Sequence, residues 1–253
     1  MTEPKIPIIL LNGPPSSGKD TAATIVQDWL SNHGLHSKID RFSAPIKRAF
    51  AGFINATEVD ELGESTIHAA DKESPIPILS NKSYRDWQIA FSEGFIKPHF
   101  GTNCFADLLY NEILDAEHSV LAGRFWIISD CGFQSEVDRF TELFGDLASI
   151  ALFRIRRPGH TFLKDSRNYV EPKGGFFFSE IPNAGTIEEF KWNLDRMMQV
   201  FLYQVYGNLD AHRPSKPSPV PPSASASLSS PTGPSSHSGG STLHSRIPPE
   251  SES

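Results

Sequence analysis

Short runs of apolar residues alternate with amphipathic stretches along residues 6–206 of the chain. Apolar runs that suit buried strands lie at 6–11, 37–42, 125–129, 147–155 and 176–181. Apolar residues recur with helical spacing at 18–32, 45–54, 83–96, 103–117, 135–144 and 186–206. Strands that alternate with helices are typical of a mainly parallel sheet covered by helices. The pattern therefore predicts a three-layer α/β fold.

Two segments interrupt this pattern. Residues 55–81 carry mixed charge and Pro75 and Pro77 without a clear period, which indicates an irregular insertion. Residues 213–253 consist mainly of Ser and Pro with few large apolar residues. Such a segment buries too little surface to offset the entropy that ordering costs. We therefore expect one folded domain at 5–210 and a disordered tail at 213–253.

Composition narrows the classes of function. The net charge is -7 at pH 7, which argues against nucleic-acid binding because phosphate backbones are held by clustered Lys and Arg. No apolar stretch approaches the roughly 20 residues that span a bilayer, and no secretion signal opens the sequence. We expect a cytoplasmic protein that acts on small molecules without membrane contact. Cys104 and Cys131 lack partners at metal-ligand spacing, so we expect two buried thiols; a homodimer is left open.

Residues 6–21 place an apolar strand, a glycine-rich turn and a helix start in the order that phosphate binding requires. Gly13 and Gly18, with Ser17 beside the second, allow the backbone N–H groups to approach an anion closely. The start of the helix adds the positive end of its dipole. Lys19 is then the predicted catalytic cation on the outer phosphates of ATP. The alternative is a chance glycine-rich turn between a strand and a helix.

The two residues after Lys19 are the predicted magnesium neighbours. Asp20 stands where Ser or Thr commonly contacts Mg²⁺, and the hydroxyl of Thr21 comes one residue later. This arrangement looks like the loop of adenylate-kinase-type nucleotide kinases. Asp130 ends the apolar run at 125–129 and is the third metal candidate, also assigned to catalysis. The alternative for Asp130 is a turn or the start of a helix.

With these landmarks, the chain resembles the deoxynucleoside monophosphate kinases of tailed bacteriophages over most of residues 6–210. The resemblance is carried by SGKDTAA at 17–23, FSAPIK at 42–47, RDWQ at 85–88, SE at 92–93, KPHFG at 97–101, SDCGF at 129–133 with Glu136, RIRRPG at 154–159 and DSR at 165–167. It implies a P-loop kinase that uses ATP and Mg²⁺ to convert a deoxynucleoside monophosphate to its diphosphate, for phage DNA synthesis in the infected cell.

One position departs from the family. Some members carry an arginine two residues after the aspartate that ends the strand, and here that residue is Gly132. The departure leaves open whether a contact to the substrate phosphate is missing or is supplied elsewhere.

Substrate candidates lie on the predicted helices. Arg85 and Gln88 are three residues apart on one face, where Arg85 would hold the monophosphate and Gln88 the base; a solvated helix face is the alternative. Lys47 and Lys97 are assigned to the substrate by the resemblance. Phe42 is the candidate for stacking on the base.

Arginines follow the run at 147–155, at the sheet edge where open α/β sheets bind ligands. We expect Arg154 or Arg157 to act in catalysis. The arginines near Pro158 and Gly159 would begin a mobile lid that closes over the phosphates together with Arg167, a substrate contact. Solvated arginines at a strand end are the alternative.

Two other functions fit the sequence. One is a P-loop kinase for a small metabolite such as dephospho-coenzyme A. The other is a non-catalytic nucleotide-binding module whose tail recruits a partner. The nucleotide kinase is favoured because the arginines and the loop together suit phosphoryl transfer, whereas a binding module requires only the loop.

Overall fold

The computed structural model describes residues 5–53, 74–76, 80–118, 124–163 and 165–207. The predicted tail at 213–253 and most of the predicted insertion at 55–81 lie outside the described residues. Within the described part, no helix combines the length and the apolar character needed to cross a membrane.

Five parallel strands form the central sheet. They are β1 Ile6–Asn12, β2 Ser37–Asp40, β5 Phe125–Cys131, β6 Ala148–Arg156 and β7 Phe177–Pro182, in the order β2-β5-β1-β6-β7. All four pairings between neighbours are parallel. Because every strand runs in the same direction, all five carboxyl ends lie along one edge of the sheet. The predicted parallel sheet is confirmed.

Seven described helices accompany the sheet, and six of them match predicted segments. They are α1 Lys19–Asn32, α2 Ala44–Phe53, α3 Tyr84–Phe91, α4 Lys97–Phe100, α5 Cys104–Glu117, α6 Gln134–Phe144 and α7 Ile187–Tyr206. The predicted helix at 83–96 continues from α3 as a π-helical turn, Ser92–Ile96, and α4 follows directly. The pair of short strands β3 Pro75–Ile76 and β4 Lys82–Ser83 was not predicted, since β3 lies in the segment expected to be irregular.

Helices cover both faces of the sheet and make the three layers. Alternate residues of β1 point to opposite faces, so Ile8 and Leu10 belong to one buried cluster and Ile9 and Leu11 to the other. The first cluster is completed by α5 and α6, and the second by α1 and α7. A central strand that is buried on both faces reads as a continuous apolar run, which is why β1 could be predicted.

A fully buried amide ties the carboxyl ends of two strands to a later segment. Asn12 Nδ2 donates to the carbonyl oxygens of Cys131 and Asn168, both at 3.0 Å. Its Oδ1 accepts a hydrogen bond from the backbone N–H of Val170 at 3.1 Å. Residues 165–171, which we call the strap, are thereby fixed to the ends of β1 and β5.

We expect Asn12→Ala to lower the free energy of unfolding by about 3 kcal/mol, because it removes three hydrogen bonds and leaves the buried carbonyl group of Cys131 and N–H group of Val170 without this partner. Urea unfolding, analysed by midpoint and slope, measures this loss. Asn32→Ala, at an exposed position in α1, is the matched control and should change the free energy by less than about 0.5 kcal/mol. Equal losses in the two variants would contradict the role of Asn12.

Candidate functional site

The glycine-rich loop begins directly after β1 and ends where α1 begins. At Gly13, an added Cβ would lie 2.7 Å from Ser17 Oγ and 2.9 Å from the carbonyl oxygen of Ile155. Gly18 has φ +100°, and a Cβ there would lie 2.6 Å from Asn183 Nδ2. Both glycines are therefore required, the first by space and the second by space and backbone conformation.

The loop surrounds a polar space that suits an anion. Ser17 Oγ is fully buried and has no hydrogen-bond partner among the described residues. Lys19 Nζ donates to the carbonyl oxygens of Gly13 and Pro14, both at 2.8 Å. Burial, together with the nearby charge of Arg167, lowers the pKa of Lys19 from its ordinary value to about 8. A bound phosphate would supply the missing partner for Ser17 and favour the charged form of Lys19.

Side chains of the residues that directly follow β6 and β7 donate hydrogen bonds to the backbone of this loop. Asn183 Nδ2 donates to the carbonyl oxygen of Ser17 at 2.8 Å. Arg157 donates to the carbonyl oxygen of Ser16 at 2.9 Å. With its guanidinium bonded to the loop backbone, Arg157 lines a small cavity of about 260 Å³ with Gly18, Lys19, Asp20 and Thr21.

A larger cavity, of about 820 Å³, opens on the other side of the loop. It is bordered by Lys19 and by the carboxyl ends of β2 and β5, and its far wall is formed by α3 and the π-helical turn. The predicted residues that line it are Lys19, Asp20, Phe42, Lys47, Arg85, Gln88, Lys97, Asp130 and Arg167. Ser16, Lys19 and Asp20 border both cavities. Residues predicted from distant parts of the sequence are thus brought to one space.

Asp130 is positioned at the start of α2. Its Oδ1 accepts the N–H of Phe42 at 2.8 Å, and its Oδ2 accepts the N–H of Ser43 at 3.0 Å. The carboxylate thus holds the two residues that precede α2, and it also borders the large cavity. Each carboxylate oxygen has further lone pairs, so the contacts leave room for water or a cation.

Arg41 lines the same cavity, although it was not among the predicted residues. Its Nη2 donates to Asp20 Oδ1 at 3.0 Å and its Nε donates to Ser129 Oγ at 3.1 Å. Arg41 directly follows β2, and the end of a parallel strand was the signal that could have found it.

The far wall presents the side-chain amide of Gln88 to the cavity. Gln88 Nε2 is buried and makes no hydrogen bond to any described residue. It lies beside Arg85 on α3, as their spacing predicted. Lys97 pairs with Glu93 at 2.6 Å and lies 4.7 Å from the centre of the Phe133 ring. The large cavity is therefore lined on this wall by an amide donor, Gln88, by the cations Arg85 and Lys97, and by the aromatic ring of Phe133.

Glu136 is a buried carboxyl at this cavity, and sequence reasoning assigned it no chemical role. It is only 4% exposed. Burial and, to a smaller extent, the neighbouring negative charge of Asp130 raise its pKa to about 8. The side chain is therefore largely protonated at neutral pH and can donate a hydrogen bond.

Arg154 does not border either cavity. Its guanidinium donates to Glu180 and Glu171, both at 3.1 Å, and to the carbonyl oxygen of Val170 at 2.6 Å. These contacts join β6 to β7 and to the strap. The residue that was predicted as catalytic is therefore bonded to β7 and to the strap and has no place at either cavity.

The described residues bring no three His, Cys, Asp or Glu side chains together in an arrangement that could hold a metal ion. Mg²⁺ commonly uses one or two protein ligands and completes its shell with phosphate oxygens and water. Asp20, Thr21 and Asp130 border the two cavities, and this placement fits a cation that arrives with a nucleotide.

No family model and no curated protein matches the chain. Among solved structures, a protein of Chloroflexus aurantiacus provisionally described as a kinase has 13% identity and a TM-score of 0.43, covering 79% of this chain and 98% of its own. A gluconokinase from Sinorhizobium meliloti has 10% identity and a TM-score of 0.35, covering 80% of this chain and 99% of its own. At these values neither protein informs the activity of this chain.

Glu136 should make stability depend on pH. Its folded-state pKa of about 8 lies above the ordinary value of 4.5, so the folded protein keeps a proton that the unfolded chain releases between these values. Stability from this group is present at low pH and is lost as the pH rises through the window. We expect the unfolding free energy of the wild type, relative to Glu136→Gln, to fall by roughly 3 to 4 kcal/mol between about pH 5 and pH 8.

Urea unfolding of both proteins at the two pH values measures this difference. Glu142→Gln, at an exposed position of the same helix, is the control and should track the wild type at both. A constant difference between the wild type and Glu136→Gln would contradict the raised pKa.

Proposed function

We propose that the protein transfers the terminal phosphoryl group of ATP to the phosphate of a deoxynucleoside monophosphate. The observation that carries the proposal is that Ser16, Lys19 and Asp20 form a wall common to the small cavity at the loop and the large cation-lined cavity. A donor phosphate in the loop and an acceptor phosphate in the large cavity would meet at Lys19. A protein that only bound a nucleotide would need no second anion site there.

The loop supplies the donor side. The hydroxyl of Ser17 and the backbone N–H groups of the loop would hold the phosphates of ATP, except at Pro14 and Pro15, which have no N–H to donate. Thr21, Asp20 and Asp130 are the candidates to hold Mg²⁺ or its water shell. When it is bound, Mg²⁺ offsets negative charge on the outer phosphates during transfer.

The large cavity supplies the acceptor side. Arg85 and Arg167 present guanidinium groups that suit a phosphate. Gln88 Nε2, which is buried without a partner among the described residues, suits an acceptor atom of a nucleobase. Phe42, the residue predicted to stack on the base, also lines the cavity, but its side chain is only 2% exposed and its ring packs against Phe140. The restriction to deoxynucleotides comes from the family resemblance of the sequence.

Phosphoryl transfer at this site requires that the two substrates are correctly positioned and that cations offset the charge on the moving group. It does not require a general base. An oxygen of the acceptor phosphate would bond to the terminal phosphorus of ATP while the bond to the bridging oxygen breaks and ADP leaves. The acceptor phosphate is already largely ionised at neutral pH, since its second pKa is about 6. Lys19 and Arg41 lie where they would offset charge on the moving group.

Release of ADP tests the proposal directly. We expect ADP to appear with ATP, Mg²⁺ and at least one of the four common deoxynucleoside monophosphates, and not without an acceptor. Lys19→Ala should lower kcat at least about 100-fold because it removes the cation at the transferred group. Turnover with dephospho-coenzyme A alone would favour the metabolite kinase. Binding of ATP with no acceptor-dependent release would contradict both enzyme functions.

Gln88→Leu should separate acceptor binding from ATP binding. Loss of a hydrogen bond to the base should raise KM for the acceptor about tenfold and leave KM for ATP unchanged. Gln199→Leu, at an exposed position on α7, is the matched control. Equal effects on the two KM values would contradict the assignment of Gln88 to the base.

A further inference from the structure

We propose that Arg167 is a fixed clamp for the acceptor phosphate, and that Gly132 and Asp165 are the residues that position it. Naming the anion as the acceptor phosphate rests on the proposed function. The presence of a fixed anion clamp rests on the geometry alone.

Gly132 leaves space that the Arg167 side chain fills. A Cβ added at Gly132 would lie 2.7 Å from Arg167 Cδ and 2.8 Å from both its Cβ and its Cγ. These are three carbons of the side-chain stem, so movement of the guanidinium end alone would not relieve the clash. The φ angle of Gly132 is not positive. Glycine is therefore required at position 132 because a Cβ would collide with Arg167, and not because of its backbone conformation.

Asp165 fixes the orientation of the guanidinium. Its Oδ1 accepts from Arg167 Nε at 2.8 Å and its Oδ2 from Nη2 at 2.6 Å, and Oδ1 also accepts the backbone N–H of Arg167 at 2.9 Å. The Asp165 side chain is 8% exposed. The hydrogen bonds from Arg167 lower the pKa of Asp165 to about 2, so the carboxylate stays ionised at neutral pH. A bidentate, charged pair of this kind strongly restricts the orientation of the guanidinium group.

Part of the guanidinium remains available to a ligand. Nη1 of Arg167 makes no hydrogen bond to any described residue, whereas Nε and Nη2 are used by Asp165. Arg167 borders the large cavity together with Lys19 and Arg85. The positive charge of Arg85 also lowers the pKa of Asp165, so both arginines lie near this carboxylate. Two converging guanidinium groups are typical of a site for a phosphate.

Hydrogen bonds fix the strap, which carries Arg167, to the ends of β1 and β5. The backbone N–H of Asn168 donates to the carbonyl oxygen of Gly132 at 2.9 Å. Asn12 binds the strap at Asn168 and Val170. Arg167 was predicted to close over the phosphates together with a mobile lid, whereas these contacts anchor its segment to the strand ends. The cation is therefore in position before a ligand enters, which lowers the entropy cost of binding.

Titration with inorganic phosphate tests the clamp. Calorimetry would use full-length protein saturated with Mg²⁺ and a non-hydrolysable ATP analogue, so that the glycine-rich loop is already filled. We expect Arg167→Ala to weaken phosphate binding at least about tenfold. Gly132→Ala should weaken it comparably although the arginine is retained, because the added Cβ displaces the side chain. Gly174→Ala is the matched control, since a Cβ there meets no atom within 4 Å.

Two further variants separate positioning from general damage. Asp165→Asn keeps the volume of the side chain and should weaken phosphate binding, with the urea midpoint reporting whether the protein stays folded. Gly132→Arg combined with Arg167→Ala moves the cation to the opposite side of the same space and should recover part of the lost affinity. In turnover, Gly132→Ala and Asp165→Asn should raise KM for the acceptor and leave KM for ATP unchanged.

Each variant tests one part of the proposal. Unchanged phosphate affinity in Arg167→Ala would overturn the clamp, and unchanged affinity in folded Gly132→Ala would overturn the positioning role of Gly132. No recovery in the double variant, with a preserved urea midpoint, would count against the shared space. If no deoxynucleotide is turned over but phosphate binding depends on Arg167, the proposed function fails and the clamp stands.

Discussion

The hydrogen bonds of the buried Asn12 amide are the constraint on which the candidate site depends. This side chain ends the central strand, and its three hydrogen bonds reach the end of β5 and two residues of the strap. Gly13 follows immediately, so the glycine-rich loop starts from a point that is fixed to the neighbouring strand and to the strap. The donor loop and the segment that carries Arg167 therefore share one anchor, and movement of either would break buried hydrogen bonds.

Paired charges organise the site within an acidic chain. The net charge is -7, yet the large cavity is lined by Lys19, Arg41, Lys47, Arg85, Lys97 and Arg167. Several of these cations are held by a carboxylate: Arg41 by Asp20, Lys97 by Glu93 and Arg167 by Asp165. Each pair fixes the direction of its cation. Cations that are oriented in advance stabilise developing charge without reorganising during the reaction.

Periodicity located the elements of the fold but not the contacts between loops. The five strands and the loop at 13–18 could be predicted because buried parallel strands are short apolar runs and because phosphate loops have a local glycine pattern. Arg41 was missed because the predicted strand at 37–42 ran past it, whereas β2 ends at Asp40 and leaves Arg41 at the carboxyl end of the strand. Arg154 was placed in catalysis from its strand-end position, but its side chain faces Glu180 and the strap. The space that Gly132 leaves for Arg167 joins residues far apart in sequence, and no local pattern encodes it.

The fate of the terminal phosphate of ATP tests the central claim most directly. Full-length protein would be incubated with Mg²⁺, ATP labelled in its terminal phosphate and each deoxynucleoside monophosphate in turn, and the products separated by chromatography. The account predicts that the label appears in a deoxynucleoside diphosphate. Label that remains in ATP, or that appears only as inorganic phosphate with every acceptor, would contradict phosphoryl transfer between the two cavities.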